Sequence, residues 1–220
     1  MNISAHHVDA ARLCNKAYDT SRSDIWSVRE TDALVRIKND CVKINFRGTE
    51  ASNAWPLRWN RAALSNTRDV LKDLRAWPWR SATAGWVHKG FGIGAEHWVS
   101  VYALRLVQLG LPLELSGHSL GAAIAVQALP LLVSMGFDVR EVVVFGEPAS
   151  FYWGSEDNYR KLNIPTSSYL NANDWIRFAP PWGETAVPRT RINPENGASL
   201  KAHDIKVYSN VLEQFLTHKN

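Results

Sequence analysis

The chain has 220 residues, a formal net charge of +4 and two cysteines. That length suits one domain, residues 1–220, with a sizeable core, and 45% hydrophobic against 21% charged residues excludes a disordered or fibrous chain. Two cysteines exclude a disulfide framework and a cysteine zinc site, and a small basic excess with no recognition motif excludes a dedicated nucleic-acid binder.

Residues 1–18 have neither a basic start nor an apolar core, so they do not read as a secretory signal. The expectation is a chain that stays inside the cell or one whose leader has been removed. Residues 5–19 read as a first helix. Residues 33–46 read as a hairpin: Val35 and Ile37 alternate with Arg36 and Lys38, Asn39-Asp40 turns the chain, and Val42, Ile44 and Phe46 alternate with Lys43 and Asn45. Cys14 and Cys41 lie in these two segments and can form one bridge or remain two buried thiols.

Residues 50–89 carry half of the ten tryptophans: Trp55, Trp59, Trp77, Trp79 and Trp86. Seven basic residues (Arg58, Arg61, Arg68, Lys72, Arg75, Arg80 and Lys89) face three acidic ones there. Tryptophan with arginine is the composition of a lipid–water interface, so this segment is a candidate lid or docking insertion. The alternative is tryptophans in the core and arginines on a solvated face.

Residues 93–109 read as a helix, with Ala95, Trp98, Tyr102, Leu106 and Leu109 at three- and four-residue spacing and Gly110 and Pro112 as stops. A short apolar run, 111–115, then meets Gly117-His118-Ser119-Leu120-Gly121, and a small-residue run, 122–133, follows. Strand, sharp turn and helix is the setting of a nucleophile elbow. There the serine takes a strained backbone, flanking glycines let strand and helix approach closely, and the helix N-terminus favours an anion. Residues 115–137 hold no formally charged side chain, but Ser116, His118, Gln127 and Pro130 argue for a buried helix rather than a membrane span. No transmembrane segment is expected.

Residues 141–145 and 166–170 read as buried strands. Strand–helix alternation along the chain predicts an α/β fold with a mostly parallel sheet and helices on both faces. A serine nucleophile needs a base and an orienting carboxylate. After Ser119 only His203 and His218 remain, and His218 is close to the C-terminus. Asp174 directly follows a strand; Glu147 also ends one, Asp157 reads as a helix-opening residue, and Asp204 adjoins His203. His6, His7, His88, His97 and His118 read as structural or exposed.

Several of these motifs resemble, in order, those of the class 3 lipases, the fungal-type triacylglycerol lipases of the α/β-hydrolase fold. They are Phe46-Arg47-Gly48-Thr49, Val87-His88-Lys89-Gly90-Phe91 and the elbow from Gly117 to Ala123. Gly146-Glu147-Pro148-Ala149 resembles a further turn of the family but lacks its arginine. The resemblance spans roughly residues 33–208. It implies oxyanion-hole N–H groups at Thr49 and Leu120, a triad of Ser119, Asp174 and His203, and a lid helix over 67–77, although residues 50–66 have almost no counterpart in the fungal enzymes.

The expected function is hydrolysis of carboxylic esters, foremost as a triacylglycerol lipase acting through an acyl-enzyme. It needs no metal or organic cofactor. A lipid or ester is the expected partner, met at a lipid–water interface through 50–89. The alternatives are a short-chain or feruloyl-type esterase and a catalytically silent α/β-hydrolase that binds lipid or protein.

Overall fold

A computed structural model describes residues 3–48, 77–178, 180, 182–192 and 200–217. Most of the tryptophan-rich stretch, 49–76, therefore lies outside the described residues, and with it Trp55, Trp59, Thr49 and the lid helix expected over 67–77.

The first helix, α1, is Ala5–Lys16. The hairpin is β2 (Thr31–Lys38) and β3 (Cys41–Phe46), preceded by an unforeseen antiparallel strand β1 (Ile25–Val28). Asn39 and Asp40 turn the hairpin with φ of 53° and 54°, the left-handed pair that a two-residue turn needs to match the strand twist. Trp77 leads into a small separate hairpin, β4 (Pro78–Ser81) and β5 (Gly85–His88). Next come α2 (Lys89–Leu109), β6 (Leu113–His118), α3 (Leu120–Ser134), β7 (Val139–Phe145), the short α4 (Glu156–Arg160), β8 (Thr166–Asn171), β9 (Thr190–Ile192) and α5 (Ile205–Thr217).

Seven strands form one sheet in the order β1-β2-β3-β6-β7-β8-β9, antiparallel through β3 and parallel from there on. Helices α2 and α3 cover one face, where Val42, Ile44, Leu115, Val142 and Val144 pack with Ala125, Leu129 and Trp98. Helices α1 and α5 cover the other, where Val143, Phe145 and Tyr169 meet Val8, Ala11, Tyr208 and Leu212. Burial on both faces is why β7 is an unbroken β-branched run rather than an alternating one. Helix α3 is buried nearly all round, from Gly121 to Pro130. The interior Pro130 does not end it: the cost of about 3 kcal/mol for a mid-helix proline is outweighed by packing along the whole helix.

The tryptophans divide between two roles. Trp98 is fully buried, donates its indole N–H to the Trp26 carbonyl at 3.1 Å, and packs with Trp26, Phe46 and Tyr102. Within the described end of 50–89, Trp79 packs against the core beside the buried Val87, while Trp77 and Trp86 are exposed. Both cysteines are free and buried; Cys14 donates to the Ser116 hydroxyl, and Arg140 donates to the Cys41 sulfur.

At the end of the sheet opposite the elbow, His6 lies 3.0 Å from both Glu114 and Glu141, and Lys43 also pairs with Glu114. Hydrogen bonds to Glu114 and then Glu141 raise the His6 pKa to about 9. Burial pushes the two carboxyls up, but their bonds to His6, with Lys43 on Glu114 and His7 on Glu141, outweigh it and hold both at about 2. The His6 contribution to stability is therefore fully present below pH ~6.5, its ordinary pKa, and is lost as the pH rises through about 9. The carboxylates act at the other limit: their contribution is present above their ordinary pKa and lost as the pH falls towards about 2. A His6→Asn variant should melt below the wild type at pH 6, and the gap should close by pH 10; a gap of equal size at pH 10 would show that protonated His6 is not its source.

Candidate active site

The site is built where β6 ends. Ser119 follows the strand directly with φ 57° and ψ −126°, a region that non-glycine residues seldom occupy, and it caps the first turn of α3. Its N–H is held by the Phe145 carbonyl at 3.0 Å, and its own carbonyl accepts from Ala122 at 2.9 Å. The elbow glycines are there for space: a Cβ on Gly117 would collide with the Gly121 carbonyl, and one on Gly121 with the Phe46 carbonyl. The end of β3 is thereby pressed against the start of α3, so that Gly48 lies beside Ser119 Cβ. Leu120 is the first residue of the helix, and its N–H has no partner within the helix, as at every helix start.

The chain returns to this point from two distant segments. Asp174 follows β8 and precedes a 3-10 helix, Trp175–Phe178; His203 ends another, Leu200–His203, just before α5. His203 Nε2 lies 2.7 Å from Ser119 Oγ, and His203 Nδ1 lies 2.7 Å from Asp174 Oδ2. Asp174 is fully buried. Its Oδ1 accepts from the Ile176 N–H at 2.9 Å, and its Oδ2 also accepts from the Tyr208 hydroxyl at 2.6 Å. Burial alone would raise the Asp174 pKa, but the hydrogen bond and charge of His203, then Tyr208 and the Ile176 N–H, together hold it below its ordinary value. A carboxylate that stays ionised and accepts from Nδ1–H leaves Nε2 bare to face the serine hydroxyl.

The other acids named from the sequence sit elsewhere. Glu147 is fully buried, with Oε1 accepting from the Ala186 N–H at 3.0 Å and Oε2 from the Ser168 hydroxyl at 2.8 Å. Burial lifts its pKa to about 7. Asp157 lies in the first turn of α4, and the Asp204 side chain accepts from the Lys206 N–H.

Two supports of the site were not singled out from the sequence as its parts. Tyr208 lies five residues past His203, and nothing in the local pattern marks it. His118, inside the elbow, reads as structural from sequence, and it acts as a strut. Its Nε2 lies 2.7 Å from the His203 main-chain carbonyl, which can only accept, so Nε2 carries the proton. Nδ1 is then an acceptor for the Tyr18 hydroxyl, 2.7 Å away. Burial drives the His118 pKa down to about 3, so the ring stays neutral and this tautomer is stable. Residues separated by 85 and 100 positions are thus tied in one chain of bonds, from the end of α1 through the elbow to the loop holding His203. Asn171 anchors that loop again by donating to the Ala202 carbonyl at 3.2 Å.

Thr49 lies outside the described residues. Among the described residues, no helix is long and apolar enough to cross a membrane.

No protein-family model matches this chain, and no curated protein sequence matches it. Solved structures do. The triacylglyceride lipase of Rhizomucor miehei matches with a TM-score of 0.63 at 20% identity, over 87% of this chain and 78% of that one. The Lip2 lipase of Yarrowia lipolytica matches with a TM-score of 0.65 at 16% identity, over 94% and 89%. A further triacylglycerol lipase, one whose catalytic centre is a serine-protease triad, matches with a TM-score of 0.56 at 20% identity, over 80% and 71%. With the parallel sheet, its antiparallel N-terminal hairpin and the helices on both faces, these likenesses show that the chain has the α/β-hydrolase fold of those structures.

Proposed function

We propose that this chain is a serine hydrolase of carboxylic esters, acting as a triacylglycerol lipase through Ser119, His203 and Asp174. The observation that carries the reading is the unbroken relay from Ser119 Oγ to His203 to Asp174, two contacts of 2.7 Å, built on a serine at the N-terminus of a buried helix. A triad in a structurally similar triacylglycerol lipase supports it.

In this reading His203 Nε2 takes the proton of Ser119 as Oγ attacks the ester carbonyl. The oxyanion is held by the N–H groups of Leu120 and Thr49, each such donor being worth about 2.7–4 kcal/mol in the transition state. His203 then protonates the leaving alcohol, and water, deprotonated by the same nitrogen, cleaves the acyl-enzyme. Asp174 fixes the imidazole tautomer and stabilises the imidazolium. The chemistry calls for no metal or organic cofactor. The whole chain serves as one catalytic domain, and the lid and lipid-docking role falls within 50–89, outside its core-packed hairpin 78–88.

The test is hydrolysis of 4-nitrophenyl esters from acetate to palmitate, below and above the concentration at which each substrate aggregates. The expected result is turnover that climbs on long, aggregated substrates. Turnover confined to short soluble esters would overturn the lipase assignment in favour of an esterase. Turnover no faster than buffer at any length would overturn the hydrolase reading and leave a silent lipid or protein binder.

A further inference from the structure

A cavity of about 440 Å³ opens beside the limb that carries Asp174 and is lined by Leu170, Arg177, Phe178, Thr185, Arg189 and Arg191. Three of these six residues are arginines, and none is acidic. Arg191 lies in the edge strand β9, opposite Leu170 in the β8–β9 register, and Arg189 immediately precedes that strand. Arg177 comes from the 3-10 helix after Asp174 and stacks its guanidinium over Phe178, 4.5 Å from the ring centre.

Two of the guanidiniums are held rigidly, and by main-chain oxygens rather than by charge. Arg177 Nη1 donates to the Ala172 carbonyl at 2.7 Å. Arg189 donates to the Arg177 carbonyl at 3.3 Å and to the Glu147 carbonyl at 2.7 Å. The Nε atoms of both arginines are buried with no hydrogen-bond partner. A buried, unpartnered N–H costs about 1–3 kcal/mol, and clustering like charges adds to that, so such an arrangement calls for an acceptor of negative charge. Among the described residues the negative charge near it acts through space: Glu147, Asp174 and Glu184 act on Arg189, yet both oxygens of Glu147 are engaged by Ala186 and Ser168, and Glu184 lines an adjoining cavity of about 260 Å³ that shares Arg177 and Arg189. An oxyanion with several acceptor oxygens matches three guanidinium forks far better than a single carbonyl does.

We propose that this cavity binds a phosphate group, with Arg177, Arg189 and Arg191 as its ligands. The site is distinct from the Ser119 relay, and the inference does not rest on the hydrolase reading. Its surroundings suit a phosphate carried by a lipid: Phe178, which lines the cavity, is 62% exposed and Trp182, next to Gly183 of the adjoining cavity, is 74% exposed, so two exposed aromatic side chains accompany the cationic pocket.

The experiment is titration of the full chain with inorganic phosphate by calorimetry and by thermal melting, with sodium chloride at matched ionic strength as control. The expected result is saturable binding that raises the melting temperature beyond the chloride control and weakens at least tenfold in Arg191→Met. Arg191 is exposed at the sheet edge, so its variant should fold; Arg177→Met, checked by circular dichroism, should weaken binding similarly. Co-sedimentation with phosphatidylcholine vesicles, with and without phosphatidate, separates the sources. Retention only with phosphatidate, lost in Arg191→Met, assigns a lipid headgroup, whereas phosphate binding without vesicle retention assigns a soluble phosphate. No saturable binding, or binding unchanged in both variants, overturns the proposal.

Discussion

Replacing Ser119 by alanine should lower kcat on 4-nitrophenyl esters by about 10⁶-fold, the loss seen when a triad serine is removed from a hydrolase of this chemistry. The change deletes only Oγ, the atom 2.7 Å from His203 Nε2, and keeps the Cβ, so neither the elbow backbone nor the packing around it is disturbed. Melting temperature and circular dichroism should match the wild type. What turnover survives should come from the helix N-terminus and binding alone, and about 10³–10⁴ over water is the usual remainder. A variant that keeps more than a few per cent of wild-type turnover would remove Ser119 from the mechanism. This variant also serves as the blank for the ester series, so slow spontaneous hydrolysis of activated esters is not mistaken for catalysis.

The second large effect is expected at Asp174→Asn. The carboxylate accepts from His203 Nδ1, Tyr208 and the Ile176 N–H, and Asn offers one oxygen and an NH₂ in its place. If the NH₂ faces His203, it reverses the donor–acceptor pattern, favours the tautomer with the proton on Nε2, and stops His203 from accepting the serine proton. A loss of about 10⁴ in kcat follows, with little change in KM because no substrate contact is removed. Mismatched buried donors should also destabilise the fold by about 1–3 kcal/mol. Because the folded carboxyl is held below its ordinary pKa, its share of stability is present above that ordinary value and disappears as the pH falls through the lowered one. The wild type and Asp174→Asn should therefore converge in melting temperature under strongly acid conditions. Glu147→Gln is the matched control. Glu147 is buried on Ala186 and Ser168, with its pKa already near neutrality, so kcat should stay near the wild-type value. If the two variants exchanged these outcomes, Glu147 would be the acid.

Local chemistry made much of the fold legible. Period-two alternation around Asn39-Asp40 specified the hairpin, because only residues tolerant of positive φ close such a turn, and both carry it. The glycines of Gly117-His118-Ser119-Leu120-Gly121 specified the elbow, because at both positions a Cβ would strike a carbonyl. The small-residue run over 122–133 was legible as a helix despite Pro130, because the burial that keeps α3 intact outweighs the local cost of a proline. Strand β1 was missed because four residues with one buried tryptophan carry too short a pattern to stand out.

What the sequence by itself determined is the set of parts: the serine in its elbow, the strand–helix alternation, and a histidine and an aspartate in the chain order this fold uses. Only the tertiary structure decided how they are held. Tyr18, His118 and Tyr208 lock His203 and Asp174 from three separate elements, and three arginines from two segments surround one cavity. No local periodicity encodes those meetings. They arise because parallel strands bring their C-terminal ends to one edge of the sheet, where residues far apart in the chain become hydrogen-bond partners.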